Sequence, residues 1–96
     1  MLDQCKALSN ETRLHILEWL KHPQDHFPDA GDTADRGVCV GLIQRKAGTS
    51  ASTMSAHLAI LQRAGFVTAT RCGQWTYYRR DDAGIRAFTE QLHRAL

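Results

Sequence analysis

The sequence has no long apolar run and few cysteines, and each shortage excludes a class of protein. No stretch approaches the roughly 18 consecutive apolar residues that would span a bilayer. The first residues, MLDQCKALSN, have neither the basic flank nor the apolar core of a secretory signal peptide, so we expect a cytoplasmic protein with no membrane partner. The three cysteines, Cys5, Cys39 and Cys72, are odd in number and irregularly spaced, which argues against a disulfide framework and for free thiols.

The residue clusters on which enzymes depend are also missing. No cluster of His, Cys and carboxylate residues is readable, and no glycine-rich loop is present that would cradle a phosphate. We therefore expect no catalytic residues, no enzymatic activity and no cofactor. At 96 residues the chain forms one small domain, 1–96, near the size at which a partner subunit often completes the core. A homodimer is the expected assembly.

Acidic residues are absent from the middle of the chain. Between Arg36 and Arg80 there are seven basic residues and no Asp or Glu, and all ten acidic residues lie outside this span. A cationic segment bracketed by acidic ones is typical of a surface that meets a polyanion such as nucleic acid. The alternative is that neighbouring loops fold back and neutralise it.

Apolar periodicity and turn residues predict a mostly α-helical domain with a small β-hairpin. Leu14, Leu17 and Leu20 recur at helical spacing behind Asn10, whose side chain can cap a helix. The predicted helices cover about 3–8, 10–21, 41–47, 50–64 and the residues that follow an Asp82 cap, and the predicted strands cover 38–40, 66–71 and 75–80. The order is therefore α-α-β-α-α-β-β-α, with a helix-turn-helix at 41–64.

Two further segments bear on assembly and on ligands. Residues 22–36 contain both prolines, a glycine and four aspartates, so we predict a solvated acidic loop. Its His and Asp residues do not have the spacing of a calcium-binding loop. The last predicted helix carries an apolar stripe of Ile85, Phe88, Leu92 and Ala95. In so short a chain, a second subunit is a good candidate to cover that stripe.

The predicted helix at 50–64 has an apolar side and a side of small residues. Met54, Leu58 and Leu61 fall together and are expected to face the core. The opposite side carries Ser52, Thr53, Ser55, Ala56, Ala59 and Arg63. Small side chains allow a helix to approach base edges in the major groove of DNA. The alternative, that Ser and Thr only cap the helix, explains Ser50 but not the others.

The predicted hairpin carries basic and aromatic residues. Its arginines are Arg71, Arg79 and Arg80. Arginines on a hairpin beside a DNA-reading helix are typical of a wing that contacts the phosphate backbone. Its aromatic residues are Trp75, Tyr77 and Tyr78. These residues could stack on single-stranded bases, but packing in the core and across the strands is the interpretation we favour.

Four stretches together, ALSNETRLHILEWL, VCVGLIQRKAG, TSASTMSAHLAILQRAGFV and WTYYRRD, resemble the ArsR family of winged helix-turn-helix transcriptional repressors. The match covers nearly the whole chain in order and at the expected spacing, apart from a longer acidic loop. The resemblance implies a homodimer joined through its first and last helices. It also implies that the dimer binds a double-stranded DNA operator with an inverted repeat and is released from it by an effector.

The resemblance places the DNA-reading positions on Ala51, Ser52, Ser55 and Ala56. Family members often have Gln at the first of these and His at the last, so this chain has fewer side chains for direct base contacts. Together with the basic residues and the helix cap, the predicted DNA-binding residues are Arg45, Lys46, Thr49, Ser50, Ala51, Ser52, Thr53, Ser55, Ala56, Arg71, Gln74 and Arg79.

The pattern of cysteines does not identify the effector. Relatives that sense soft metals often carry CxC at the start of the third helix, whereas here Cys39 aligns with the first cysteine and Gly41 replaces the second. A soft ion needs two or three convergent sulfur or imidazole ligands. We therefore predict no metal site and a buried, apolar Cys39. A noncanonical metalloid site of Cys39 and Cys5, or a redox-active Cys39 thiol, remain alternatives, as does a winged-helix module that binds a protein instead of DNA.

Overall fold

The computed structural model describes residues 1–31, 33 and 36–96. Over these residues the helices are α1 (Leu2–Leu8), α2 (Glu11–Lys21), α3 (Pro23–His26), α4 (Val40–Ala47), α5 (Ala51–Arg63) and α6 (Asp82–Ala95), with a 3-10 turn at Pro28–Ala30. The strands are β1 (Val38–Cys39), β2 (Val67–Cys72) and β3 (Trp75–Arg80). The prediction of a mostly helical fold with a small antiparallel sheet is therefore confirmed.

Side-chain caps determine where the two long central helices begin. The Asn10 side chain accepts a hydrogen bond from the Arg13 amide at 3.0 Å, and the Ser50 hydroxyl accepts one from the Thr53 amide at 3.2 Å. Each of these bonds satisfies an amide that has no partner within its own helix. Both α2 and α5 therefore begin where their polar cap residues predict.

The start of α6 differs from the prediction by one residue. Asp81, rather than Asp82, accepts the cap hydrogen bond, from the Gly84 amide at 2.9 Å. The Asp82 carboxylate instead pairs with Arg80 Nε at 2.9 Å. Close packing also fixes this end of the helix, because a Cβ atom at Gly84 would overlap the carbonyl oxygen of Gly65.

The three strands form an antiparallel sheet in the order β1, β3, β2. Val38 pairs with Tyr78, and Cys72 pairs with Trp75 across a turn of Gly73 and Gln74. Gly73 has a φ of 64°, a left-handed value that favours glycine at the first central position of a two-residue hairpin turn. The β2–β3 hairpin is the wing that the arginine pattern predicts.

The core lies between the helices and one face of the sheet. Its buried apolar residues are Ala7, Ile16, Leu17, Leu20, Phe27, Val38, Ile43, Met54, Leu58, Leu61, Phe66, Val67 and Phe88. The predicted inward face of α5 is confirmed, since its three apolar residues are completely buried. Phe88 fastens α6 to this core through an edge contact with Phe66, at 5.3 Å between ring centroids. Of the predicted α6 stripe, Ile85 and Leu92 are half-buried and Ala95 is exposed.

The segment predicted as a solvated loop is partly helical and contributes to the core. Phe27 lies between α3 and the 3-10 turn, is only 6% exposed, and contacts Trp19 edge-on at 6.3 Å. Thr33 is also buried, and its hydroxyl oxygen accepts a hydrogen bond from Gln24 Nε2 at 3.1 Å. The loop prediction is wrong for these residues because one large aromatic side chain finds an apolar site. Asp25 and Asp29 are exposed, as predicted for a solvated acidic segment, and the part of the prediction at residues 32, 34 and 35 lies outside the described residues.

Candidate nucleic-acid interface

The outward face of α5 is made of small polar and apolar side chains, all of them exposed: Ala51, Ser52, Thr53, Ser55, Ala56 and Ala59. The Ser50 hydroxyl, besides capping the helix, donates a hydrogen bond to Thr53 Oγ1 at 2.9 Å and lies 3.3 Å from Ser52 Oγ. The hydroxyls of the first turn therefore form a linked group, whereas Ser55 lies one turn further along the helix. Hydroxyl groups can donate to or accept from base edges, and the small side chains leave room for a groove wall.

The basic residues of α4 occupy two different surroundings. Arg45 and Lys46 are both exposed in the last turn of the helix. The Lys46 ammonium, however, lies over the rings of Trp19 and Phe27, at 5.4 and 5.7 Å from their centroids. Such cation–π contacts attract the ammonium group to these rings and away from solvent. Lys46 is therefore partly committed to the contact between α4 and the 22–30 segment.

Thr49, in the turn between α4 and α5, is also among the predicted DNA-binding residues. Its hydroxyl oxygen is buried and makes no hydrogen bond to any residue that the structure describes. A buried hydroxyl is not available to a phosphate. The role of Thr49 stays a prediction, and the position of its side chain gives that prediction no support.

The wing presents the other predicted contact residues at its tip and along its strands. Arg71, Gln74 and Arg79 are exposed, and Arg71 Nε donates a hydrogen bond to the Gly73 carbonyl oxygen at 3.0 Å. This bond holds the guanidinium group beside the turn. Arg80 is less available for such a role, because its side chain is only 19% exposed and its Nε is paired with the Asp82 carboxylate.

The aromatic residues of the wing alternate between the two faces of the sheet. Tyr78 faces the core, and its burial raises the pKa of its hydroxyl above the ordinary value. Tyr77 lies on the other face, where the Arg36 guanidinium stacks over its ring at 4.8 Å from the centroid. Trp75, on the same face as Tyr77, is 53% exposed. The preference for packing is therefore confirmed for Tyr78, whereas Trp75 is largely uncovered.

Arg13 connects α1 and α2 to the underside of α5, and the sequence pattern did not reveal this role. Its guanidinium donates hydrogen bonds to the carbonyl oxygens of Ala7, at 2.6 Å, and Lys6, at 3.2 Å. A third bond, of 3.1 Å, joins it to Nδ1 of His57 on α5. Because a guanidinium group has no acceptor, the imidazole nitrogen must accept this bond. Local sequence patterns carry no signal for a contact between residues 44 positions apart.

Burial and the contact with Arg13 both favour the neutral form of His57. Burial lowers the pKa of the imidazole below its ordinary value of 6.5, and the positive charge of Arg13 lowers it further. The neutral form is the one that accepts the hydrogen bond. His57 is therefore a half-buried structural residue of α5 that accepts a hydrogen bond from α2.

The cysteines do not assemble a recognisable metal site. Cys5 and Cys39 are half-buried, so Cys39 is less buried than predicted, and Cys72 is exposed at the wing. Arg36 donates a hydrogen bond to Cys72 Sγ at 3.5 Å. Within residues 1–31, 33 and 36–96, no three His, Cys, Asp or Glu residues form a group that could hold a metal ion. In the same part of the chain, no helix is both long and apolar enough to cross a membrane.

Comparison with known proteins identifies relatives over most of the chain. No family model matches the sequence. The uncharacterized HTH-type transcriptional regulator YbzH of Bacillus subtilis (strain 168) is 52% identical, over 91% of this chain and 89% of that protein. The transcriptional activator HlyU of Vibrio cholerae is 33% identical, over 93% and 70% of the two chains. The putative arsenical resistance operon repressor ArsR2 of Halobacterium salinarum is 34% identical, over 80% and 56%.

Solved structures show the same architecture. The solution structure of fragment 1–100 of Mb0332 from Mycobacterium bovis has a TM-score of 0.67 and 30% sequence identity, covering 98% of this chain and 76% of that one. That fragment is described as a homodimeric winged helix-turn-helix DNA-binding domain of a possible ArsR-family transcriptional regulator. The fold of that fragment contains the same helix-turn-helix and wing as this chain, and the sequences are related over nearly the whole chain. The chain therefore belongs to the ArsR family of winged helix-turn-helix transcriptional regulators.

Proposed function

We propose that the protein is a homodimeric transcriptional repressor that acts in the cytoplasm without enzymatic activity and binds a specific double-stranded DNA operator. The observation that carries this proposal is the coincidence of two features. The segment from Arg36 to Arg80 has no acidic residue, and it contains α4, α5 and the wing. A cationic surface built around a helix with small, exposed side chains suits the major groove.

In the proposed complex, α5 lies in the major groove and the wing follows the phosphate backbone. Ser52, Thr53 and Ser55 contact base edges, while Arg45, Arg71 and Arg79 contact phosphates. Ala51 and Ala56 offer the bases no hydrogen-bonding side chain. We therefore expect the shape and flexibility of the operator to contribute more to specificity than they do where longer polar side chains read the bases.

The homodimer and the inverted repeat belong to the same proposal. The related Mb0332 fragment is homodimeric, and a twofold dimer matches an operator whose half-sites are also related by twofold symmetry. We place the contact between protomers at α1 and α6. Relatives include a named activator and a putative repressor. We propose repression because occupying an operator requires only the DNA surface and the dimer.

Salt-dependent DNA binding tests the central claim. Labelled duplexes from the region upstream of the gene are titrated by fluorescence anisotropy at several salt concentrations. Log affinity should fall linearly with log salt, by about 0.9 for each phosphate contact. The R71A variant should lower that slope by about one per protomer. The Lys21→Ala variant, exposed in the last turn of α2, is the control and should leave the slope unchanged. An affinity independent of salt would contradict the proposal.

The effector is tested on the same complex. Release from the operator is measured against a panel of metal ions, arsenite, oxidants and reactive sulfur species, with the Cys39→Ser variant beside wild type. A response lost in Cys39→Ser assigns the sensor to that thiol, whereas an identical response to every agent removes Cys39 from the sensory mechanism. Transcription from the operator-bearing promoter in vitro, with and without the protein, separates repression from activation.

Variants of Ser52 and Arg71 separate DNA binding from protein binding by the same surface. If the domain served as a protein-interaction module, wild type would have no measurable DNA affinity. Replacing Ser52 and Arg71 would then abolish capture of the protein partner. Loss of DNA affinity in these variants, with an unchanged circular dichroism spectrum, is the result that the proposed function requires.

A further inference from the structure

Trp75 is a large apolar side chain left uncovered at the tip of the wing. It is the first residue of β3, directly after the Gly73–Gln74 turn, and it is 53% exposed. The other indole of the chain, Trp19, has Phe27 and the Lys46 ammonium packed against it. Leaving an indole in water forgoes the free energy of burying it, and a side chain of this size can supply much of the energy of an interface.

The register of the hairpin shows that the core cannot cover this indole. Side chains alternate along β3, so Trp75 and Tyr77 share one face while Tyr78 lies on the other. Tyr78 packs on the core. The face of Trp75 is therefore directed away from the helices. Its cross-strand partner is Cys72, which is exposed as well and too small to cover an indole.

The surroundings of Trp75 are cationic. On its own face, the Arg36 guanidinium lies over Tyr77 and donates a hydrogen bond to Cys72. At the turn, Arg71 is held beside Gly73. No Asp or Glu occurs anywhere between Arg36 and Arg80. A flat apolar ring among guanidinium groups fits a ligand that is anionic and also offers flat apolar surfaces, a description that fits nucleic acid.

We propose that Trp75 is a DNA contact of the wing, with its indole packed against the bases and sugars of the groove that the wing tip enters. The inference rests on the proposed function and adds an apolar contact to a wing otherwise expected to supply phosphate contacts. Aromatic residues that pack on bases are tolerant of sequence, and an inserted ring can bend the duplex. Trp75 thus sets affinity and DNA shape without adding a charge.

Affinity and its salt dependence distinguish this contact from a phosphate contact. The W75A variant should bind the operator more weakly at every salt concentration, by about 5- to 100-fold for each protomer whose base–aromatic contact is lost. Its slope of log affinity against log salt should equal that of wild type, since no cation is removed. The Leu14→Ala variant removes a similarly exposed apolar side chain, 49% exposed on α2, and should bind as wild type does.

Tryptophan emission provides a readout that a purely structural role would not move. Addition of operator DNA should quench wild-type emission and shield it from acrylamide, and the W75F variant, whose only indole is Trp19, should show neither change. An affinity of W75A within about twofold of wild type, or the same emission change in W75F, overturns the role of Trp75 while leaving the proposed function intact. Failure of wild type to bind any upstream DNA overturns both.

Discussion

At the scale of single residues, Arg13 is the polar link on which the position of α5 depends. It bonds two carbonyl oxygens at the end of α1 and the imidazole of His57 in α5. Hydrogen bonds that involve a charged group contribute about 1.5–3 kcal/mol each when they are removed without replacement. The orientation of α5, the helix proposed to read DNA, therefore depends on a side chain that is not itself a predicted DNA contact.

The link between Arg13 and His57 predicts a specific pH dependence of stability. Because the pKa of His57 is lowered in the folded protein, the unfolded chain binds the proton first as the pH falls below 6.5. The free energy of unfolding should therefore decrease from about pH 6.5 downward, and the contribution of His57 should be constant above it. Urea denaturation of wild type and His57→Gln, whose side-chain oxygen can still accept from Arg13, checks this.

The test compares the stability of wild type with that of His57→Gln at two pH values. The stability advantage of wild type over His57→Gln should be smaller at about pH 5.5 than at about pH 7.5. Comparing the variants removes the contributions of the other four histidines and of the carboxylates. A difference that does not change with pH would mean that His57 titrates alike in the folded and unfolded chains.

At the scale of elements, the packing of α6 on the turn after α5 depends on Gly84. Alanine normally favours a helix over glycine by about 1 kcal/mol. At Gly84, however, the added methyl group would overlap the Gly65 carbonyl oxygen, so G84A should destabilise the protein by about 1–3 kcal/mol. The matched control is G41A in α4, where nothing lies within 4 Å of the added atom. Thermal unfolding should place G41A at or slightly above wild type and G84A below it.

Elements whose signals are local were predicted from the sequence, and those that depend on distant contacts were not. Asn10 and Ser50 predict the starts of α2 and α5, because a cap residue acts within one turn of its own helix. Phe27 shows the opposite case, since it is buried through contacts with Trp19 and the Lys46 side chain, which lie outside its own segment. The prolines and aspartates of its own segment indicate a solvated loop and give no sign of this burial. The same reasoning applies to the interface. The wheel predicted which α5 residues are exposed, but only the structure shows that Lys46 lies over two rings.

At the scale of the whole molecule, charge is separated more strongly than the net value suggests. The formal net charge is +2, yet the segment from Arg36 to Arg80 holds seven basic residues, and the remainder of the chain holds five basic and ten acidic ones. Such an arrangement orients a protein as it approaches a polyanion and speeds association at low salt. In the proposed dimer, two cationic surfaces would have to meet the DNA together.

The proposed dimer makes the spacing of the operator half-sites critical. Two recognition helices held by one dimer must enter major grooves on the same side of the duplex, about one helical turn apart. Inserting about five base pairs between the half-sites of the identified operator turns one of them to the opposite side. Affinity should then fall to that of a single half-site in an electrophoretic shift assay. Substituting the same central base pairs without changing the length is the control, and equal affinity for the two duplexes would argue against a rigid dimer.

The pairing of β1 with β3 has a consequence for how the chain folds. Val38 and Tyr78, which pair in the sheet, are 40 positions apart, whereas β2 and β3 are joined by a two-residue turn. Closing a long loop is slower and costs more chain entropy than closing a short one, so the hairpin should form before β1 joins it. During synthesis β1 must wait until its partner strand has been made, and the sheet is completed only when most of the domain is available to fold.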